Sequence, residues 1–299
     1  MELYGQDRAE ALLVNIYRYC SRNCPGCYLR PHFDRIVGNS YHHYGLSNFE
    51  KVLLDSSVKF NQVVLAVSGA NELRMLTDRF VDAELMGRLA GLGSQVQILA
   101  SLNDWLEAGE EKLLDLGKLP IQLACSVDAD KTAGESGRLA ENEGTILRLF
   151  NVINVRVTQR TLPVMRNILD VPFSGVVHLV LDKPILSEHM TNVQKVLAPQ
   201  LLGLYNHEAR HDRRLALDYC LDHVTSEPQT GCRAGVNMFS IHPDGAITGC
   251  PYSSRILAQL DPGQDLGEGI RGIRSDANSG AYHDWVHCKI REEVTWRKK

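Results

Sequence analysis

Short apolar segments alternate with longer amphipathic segments over residues 11 to about 185. The apolar segments are rich in β-branched residues, which is typical of strands buried on both faces. Between them, apolar residues recur at helical spacing and predict helices packed against a sheet. The predicted strands are residues 12–17, 63–67, 95–100, 121–127, 154–158 and 176–181, and the predicted helices are residues 48–59, 78–92, 104–116 and 142–151.

This alternation predicts an α/β fold in which a parallel sheet curls into an open, partial (β/α)6 barrel similar to a TIM barrel. In such folds the functional site lies at the carboxyl ends of the strands. After Pro184 the pattern changes, and a Pro243-Asp244-Gly245 turn between two apolar runs predicts a β-hairpin. We therefore expect a barrel in residues 1–185 and a hairpin-and-helix extension in residues 186–299.

Three cysteines, Cys20, Cys24 and Cys27, follow the first predicted strand with the spacing C-x3-C-x2-C. One loop with such short spacings can wrap an iron–sulfur cluster, for which thiolates are the usual ligands. A zinc knuckle is the first alternative, but it usually shows paired cysteines, and no second pair follows closely. A disulfide framework is the second, and it requires an oxidising compartment.

The motif resembles the signature of the radical S-adenosylmethionine (radical SAM) enzymes. The resemblance implies a [4Fe-4S] cluster held by the three cysteines, with SAM bound at the iron that lacks a protein ligand. The family usually has an aromatic residue before the third cysteine. Here that residue is Gly26, and Tyr28 follows the cysteine instead. Tyr28 is therefore the candidate contact to the adenine.

The ends of the later strands resemble the SAM pocket of that family. Residues 67–72 keep one glycine and a glutamate where the family usually has Gly-Gly-Glu-Pro, and Ser-x-Asp follows on the fourth strand. The resemblance implies SAM contacts at Gly69, Glu72, Asn103, Ser126 and Asp128. Arg156 on the fifth strand is a candidate partner of the SAM carboxylate, or else an arginine that covers a helix face. Cys125 alternates with Ser126 along its strand, so we expect it to be a buried packing residue.

A second set of cysteines surrounds the predicted hairpin and resembles the SPASM and twitch extensions of radical SAM enzymes. The short form, with one auxiliary [4Fe-4S] cluster, fits best, and a zinc site of the same thiols is the alternative. The candidate ligands are Cys220, Cys232, Cys250 and Cys288. If three thiolates suffice, Cys250 is spared for catalysis as a hydrogen donor. Its role as donor or ligand is left open.

The layout is similar to that of compact twitch enzymes of the neomycin C epimerase type. This resemblance implies that a 5′-deoxyadenosyl radical removes a hydrogen from a sugar carbon of an aminoglycoside, after which Cys250 returns one to the opposite face. Asp182 is a candidate partner for an amino group of the substrate, or else a helix cap. The alternatives are a maturase that modifies a ribosomal peptide and an aminocyclitol dehydrogenase. Little chain precedes the first strand to form a leader-peptide-binding domain, which disfavours the maturase.

Net charge and composition limit the classes of molecule that the protein is expected to bind. A net charge of −4 gives no electrostatic footprint for nucleic acid and suits a cationic small molecule. No signal peptide and no membrane-length apolar run is evident, and eight cysteines without an export signal favour the reducing cytoplasm. The resemblance implies a flavodoxin or ferredoxin-type reductant. The histidines are expected in solvated loops without a role.

Overall fold

A computed structural model describes residues 8–16, 54–80, 82–91, 95–127, 146–157, 175–181, 215–217, 234–251, 256–261 and 263–278. The chain forms two compact units, the first from Met1–Gln122 and Arg233–Asp284 and the second from Leu123–Cys232 and Trp285–Lys299. The predicted division at residue 185 lies outside the described residues and stays a prediction.

The strands and helices follow each other in an α/β pattern. The strands are β1 Arg8–Ile16, β2 Lys59–Val67, β3 Gln95–Ser101, β4 Gln122–Val127, β5 Val152–Val157, β6 Val176–Leu181, β7 Leu215–Leu217, β8 Met238–Ile241, β9 Ala246–Thr248 and β10 Ala258–Gln259. The helices are α1 Ala70–Phe80, α2 Ala83–Gly91, α3 Leu102–Ala108, α4 Glu110–Leu116 and α5 Leu266–Asn278. All six strands predicted from the sequence are confirmed, to within a few residues at their ends.

The first unit contains a sheet in the order β10-β9-β8-β1-β2-β3. β1 is parallel to both β2 and β8, and β2 is parallel to β3. β9 is antiparallel to β8 and to β10. In the register, Val14 faces Leu65 on one side and Ile241 on the other. The described part of this unit is thus a mixed sheet dominated by parallel pairs.

The helices of the first unit differ from the predicted ones at their ends. The prediction for residues 78–92 is wrong in joining two helices, because α1 ends at Phe80 and α2 begins at Ala83. The Asp82 carboxylate accepts a hydrogen bond from Glu84 N at 2.9 Å. Residues 104–116 are also two helices, separated by Gly109 with φ 102°. The predicted helix 48–59 is wrong at its end, since Lys59 already begins β2. Its residues 48–53 are outside the described part.

The second unit contains β4-β5-β6-β7 in that order, with parallel pairing in β4–β5, β5–β6 and β6–β7. Buried and half-buried residues alternate along β5 and β6, whereas β4 has three consecutive buried residues, 123–125. Cys125 is 0% exposed, and burial raises the pKa of its thiol. The expectation of a buried packing cysteine is therefore confirmed. Of the predicted helix 142–151, only Ile146 and Leu147 are helical among the residues described.

The predicted hairpin is confirmed. β8 and β9 pair antiparallel, and the connecting turn has Gly245 at φ 81°, a region that suits glycine. The turn is closed by bonds from His242 N to Ala246 O at 2.9 Å and from Ala246 N to Asp244 Oδ1 at 3.2 Å. The sequence did not predict that β8 would extend the sheet beside β1.

Apolar side chains fill the space between sheet and helices. Leu12, Leu65 and Ile98 of the sheet and Phe80 and Trp105 of the helices are all 0% exposed. The longest described helix is α5, and no described helix has the length and apolar character needed to cross a membrane.

The helix α5 is fastened to the first unit by polar contacts at both ends. At its start, Asp265 accepts hydrogen bonds from the amide and hydroxyl of Ser57 and lies 3.5 Å from Arg271 Nη2. Further along, Arg274 donates to the carbonyls of Arg8 at 2.7 Å and Val236 at 2.9 Å. These contacts hold the start of β1 and the segment before β8 against the same helix.

Candidate functional site

The glycine and glutamate predicted for the SAM pocket lie together at the carboxyl end of β2. Gly69 has φ 101°, and a Cβ placed on it would lie 2.6 Å from Glu72 Oε2. The carboxylate therefore folds over the bare Cα of Gly69, a position that a side chain would fill. Glu72 is in the first turn of α1, where the helix dipole stabilises a negative charge.

The residues after β3 adopt a helix start rather than a strand end. Ser101 caps α3 by accepting a hydrogen bond from Asp104 N at 3.1 Å, and its hydroxyl donates to Asp104 Oδ2 at 2.6 Å. Asn103 therefore lies in the first turn of the helix, with its side chain exposed. Because β2 and β3 are parallel neighbours, Asn103 and Gly69 lie at the same edge of the sheet.

β1, the strand that precedes the three-cysteine motif in the sequence, also ends at that edge. β1 ends at Ile16, which faces Val67 of β2, so the chain leaves β1 beside the strand that leads to Gly69. Cys20, Cys24, Cys27 and Tyr28 are outside the described residues.

A buried polar cluster occupies the same end of β1. The side-chain nitrogen of Asn15 donates to the Ile241 carbonyl at 3.0 Å and to Ser240 Oγ at 3.2 Å, and it lies 3.4 Å from His242 Nδ1. On the other side of the ring, His242 Nε2 is 2.9 Å from Thr248 Oγ1. Thr248 in turn donates to the backbone carbonyl of Cys250 at 2.8 Å.

Cys250 is half-buried, has its sulfur outside any disulfide, and follows a tightly packed glycine. A Cβ on Gly249 would lie 2.7 Å from Gly235 N and 3.0 Å from the carbonyl carbon of Ala234. The backbone before Cys250 thus packs against the backbone that follows Cys232 in the sequence. Cys220, Cys232 and Cys288 themselves lie outside the described residues.

The direction of β9 determines at which end of the sheet the segment with Cys250 begins, relative to Gly69. β9 runs antiparallel to β8, and Thr248 faces Ser240, which faces Leu13 of β1. The residues from Ala246 onward therefore lead away from the strand end where Gly69 lies. The packing of Gly249 places the start of the Cys250 segment beside the turn that precedes β8.

The second unit has its own row of polar side chains. Ser126, Asn154 and His178 are aligned neighbours on β4, β5 and β6. Asn154 Oδ1 lies 3.0 Å from His178 Nδ1. Ser126 is exposed, whereas Asn154, Arg156 and His178 are half-buried. Asp128 and Asp182 are outside the described residues.

The expectation that the histidines lie in solvated loops is wrong for two of them. His242 is 0% exposed at the end of β8, and His178 is within β6. Asn15 and Asn154, which contact these two histidines, were not among the residues predicted from the sequence. A polar residue inside an otherwise apolar strand was the available signal, since such a residue must find a partner when buried.

Within the described part of the chain, no three His, Cys, Asp or Glu residues gather closely enough to hold a metal ion. Six of the seven cysteines predicted to bind metal are outside that part, so their roles stay predictions.

These features define a mixed α/β protein with a mainly parallel sheet and a candidate ligand site at one strand edge. No protein-family model matches the sequence, and no curated protein matches it. Among solved structures, the fold is similar to one described as native anSMEcpe with bound AdoMet. The TM-score is 0.57 at 13% identity, covering 89% of this chain and 82% of that one. At this identity the similarity concerns the fold.

The Gly69–Glu72 pair fits the amino acid end of a SAM molecule in chemistry. An amino group can donate to the Glu72 carboxylate, and the missing side chain at Gly69 leaves room for that carboxylate beside the end of β2. The C-x3-C-x2-C donor set fits a [4Fe-4S] cluster with one iron lacking a protein ligand.

Proposed function

We propose that the chain is a radical SAM enzyme that epimerises a sugar carbon of an aminoglycoside-type substrate. One observation carries the radical SAM class. The C-x3-C-x2-C motif follows β1 of a mainly parallel sheet whose fold is similar to that of an AdoMet-bound protein. The curled, partial-barrel form of that sheet and the twitch character of the extension belong to the same proposal.

In this proposal Cys20, Cys24 and Cys27 hold the core [4Fe-4S] cluster, while Gly69 and Glu72 receive the amino group of SAM. Bound to the reduced cluster, SAM supplies the 5′-deoxyadenosyl radical that removes a hydrogen atom from the substrate. A flavodoxin or ferredoxin-type protein is the proposed source of electrons. Among the other predicted contacts, Asn103 at the same sheet edge is exposed and accessible to a ligand.

The polar row of the second unit supports a substrate rich in hydroxyl and amino groups. Ser126, Asn154 and His178 place hydrogen-bonding groups side by side on adjacent strands, and Arg156 follows on the same face as Asn154. Small-molecule sites use a few such polar groups to fix the orientation of the ligand. Asp182, which follows β6 in the sequence, is the proposed carboxylate partner of a substrate ammonium group.

Epimerisation requires a hydrogen donor for the substrate radical, and Cys250 is the proposed donor. Its S–H bond breaks as a C–H bond forms on the opposite face of the sugar carbon. The resulting sulfur radical then takes up one electron, supplied through the auxiliary cluster, and one proton from solvent. The half-buried thiol of Cys250 is consistent with this role, because the group is neither sealed in the core nor fully solvated.

The path of β9 favours a second candidate. Gly249 packs against Ala234 and Gly235, close in sequence to Cys232, and β9 leads away from the strand end that bears Gly69. Both observations favour Cys250 as a ligand of the auxiliary cluster. An auxiliary cluster with a full set of thiols would accept one electron from the substrate radical while the hydroxyl proton of the same carbon leaves to solvent. The product would be a carbonyl, and the enzyme would then be an aminocyclitol dehydrogenase.

Anaerobic turnover in deuterated water distinguishes the candidates. With an aminoglycoside such as neomycin C, the wild type is expected to release 5′-deoxyadenosine and an inverted product that carries solvent deuterium at the epimerised carbon. The Cys250→Ala variant should keep its iron and release 5′-deoxyadenosine without inverted product. The Cys125→Ala variant is the matched control, since Cys125 is a buried thiol with no proposed chemistry.

Two other results would lead to different conclusions. Loss of about four irons per chain in Cys250→Ala, one cluster's content, would reject the donor role and support the ligand role. Colourless wild-type protein that releases no 5′-deoxyadenosine under strong reductant would reject the radical SAM class itself.

A further inference from the structure

A chain of hydrogen bonds joins the end of β1 to the backbone of Cys250. It passes from Asn15 to the ring of His242, from the ring to Thr248, and from Thr248 to the Cys250 carbonyl. Asn15 and His242 are 227 residues apart in sequence. The chain therefore connects two distant segments, one leading to Cys20 and the other containing Cys250.

The direction of these bonds follows from the groups at the two ends. A backbone carbonyl only accepts hydrogen bonds, so the Thr248 hydroxyl donates its hydrogen to the Cys250 carbonyl. The Thr248 oxygen is then the acceptor in its contact with His242, and His242 Nε2 is the donor. At the Asn15 end of the chain of bonds, the Ile241 carbonyl also only accepts, so the Asn15 side chain must present its amide nitrogen, not its oxygen, to Ile241. We therefore assign His242 Nδ1 as the acceptor from Asn15, which places the ring proton on Nε2.

The chain is enclosed by protein. Asn15 is 1% exposed, and His242 and Thr248 are both 0% exposed. A bond broken here is not readily replaced by a bond to bulk water, so a buried partner left unpaired costs about 1–3 kcal/mol. Pro251 adds a second restraint, because a residue that precedes proline is confined to extended backbone conformations. The backbone of Cys250 is thus held from two sides.

We propose that Asn15, His242 and Thr248 are positioning residues that fix Cys250 relative to the end of β1. This inference rests on the proposed function in one respect, namely that Cys250 is a functional thiol. Displacement of a reacting group by about 1 Å can slow a reaction by about 10²-fold. The hydrogen bonds to His242 and Thr248 hold the backbone of Cys250 at a fixed position relative to β1 and β8.

The first test uses Thr248→Val, which removes the hydroxyl but keeps the shape, with Thr248→Ser as the matched control. Amide hydrogen exchange of reconstituted full-length protein is measured at Gly249 and Cys250. We expect exchange at least about tenfold faster in the valine variant, equivalent to about 1.4 kcal/mol, and wild-type exchange in the serine variant. Unchanged exchange in the valine variant, or equal acceleration in both, overturns the proposal.

The second test divides the two sides of the imidazole. In His242→Gln the amide nitrogen replaces the Nε2 donor to Thr248, whereas in His242→Asn the amide oxygen replaces the Nδ1 acceptor from Asn15. We expect the glutamine variant to exchange like the wild type at Cys250 and the asparagine variant to exchange like Thr248→Val. The reverse order would contradict the assigned direction of the chain.

The functional readout is the ratio of inverted product to 5′-deoxyadenosine. In Thr248→Val this ratio should fall at least about tenfold while release of 5′-deoxyadenosine stays within about twofold, because the hydrogen bonds of Thr248 lead to His242 and to the Cys250 carbonyl. A merely structural role would lower both yields together with Tm. If Thr248→Val gives the same ratio as the wild type, the positioning proposal is wrong. If Cys250→Ala still forms the inverted product at the wild-type level, Cys250 is not the hydrogen donor, and the amide exchange data alone then test the positioning proposal.

Discussion

Each unit of the protein contains an asparagine that contacts a histidine ring. The asparagine presents its amide nitrogen to the ring in the first unit and its amide oxygen in the second. In the first unit the Asn15 nitrogen meets His242 Nδ1 at 3.4 Å. In the second, the Asn154 oxygen meets His178 Nδ1 at 3.0 Å, so that this ring nitrogen donates. The first ring must be neutral to accept from Asn15, whereas the second keeps its bond to Asn154 whether neutral or protonated.

The two pairs also differ in how far they are buried and in which groups surround them. The pair in the first unit is sealed from water and joined to backbone carbonyls, which suits a role in holding structure. The pair in the second unit is half-buried, in a row with the exposed Ser126, which suits contact with a ligand. The same two residue types thus lie in different environments, one buried among backbone carbonyls and one partly accessible beside Ser126.

The largest expected effect is on folding stability at the first pair. Asn15→Leu removes the amide nitrogen that donates to the Ile241 carbonyl and Ser240 Oγ and lies 3.4 Å from His242 Nδ1. We expect a loss of about 3 kcal/mol, since each buried hydrogen-bond partner that is lost costs about 1–3 kcal/mol. The matched change Asn154→Leu should cost about 1 kcal/mol or less, because water can reach that site. Denaturant unfolding measures both, and equal losses would remove the distinction between the pairs.

The next effect tests the close backbone packing that places Cys250. Gly249→Ala forces a methyl group to within 2.7 Å of Gly235 N, and overpacking of this kind costs about 1–3 kcal/mol. Gly272→Ala is the control, because its added Cβ meets nothing within 4 Å. In a helix interior this change should stabilise by about 0.5–1 kcal/mol. Thermal unfolding should show Tm shifts of opposite sign, and a Gly249→Ala variant as stable as the wild type would contradict the packing.

A binding measurement tests whether the pair in the second unit, Asn154 and His178, contacts the substrate. His178→Ala is expected to weaken the binding of an aminoglycoside such as neomycin C by about tenfold, the loss of roughly one hydrogen bond, with little change in Tm. Isothermal titration calorimetry with wild type and variant gives the ratio of Kd values. Undiminished affinity would exclude His178 from the substrate site, and a large fall in Tm would show that its role is structural.

The smallest effect concerns a surface ion pair and its pH dependence. Partial burial acts to raise the pKa of Asp265, but hydrogen bonds from Ser57 and Gly267 and the charge of Arg271 outweigh it, so the pKa is lowered. A lowered pKa adds stability above the pKa of the unfolded chain, and this stability is lost as pH falls through the folded value. Asp265→Asn should therefore destabilise at pH 7 and converge with the wild type in acid.

Thermal unfolding at a series of pH values tests this, with the exposed Asp261→Asn as a control that should show no such convergence. A constant difference between Asp265→Asn and the wild type at all pH values would show that the carboxylate charge is not involved.

Local patterns in the sequence predicted the strands, the hairpin and the burial of Cys125. Each depends on neighbouring residues, such as apolar runs for β1 to β6 or Pro243-Asp244-Gly245 for the turn. Helix ends were predicted less well, because the break at Gly109 depends on a positive φ that amphipathic spacing does not reveal. The adjacency of Gly69 and Glu72 was anticipated only through family resemblance, and the structure places the two groups together.

By itself, the sequence determined which segments are apolar enough to become strands and which thiols lie close together along the chain. Only the tertiary structure decided that β8 pairs with β1, and hence that Asn15 meets His242 across 227 residues. The physical reason is that a polar residue in an apolar strand needs a hydrogen-bond partner once it is buried, but the partner is chosen by strand pairing between segments far apart in sequence. No local periodicity encodes that choice.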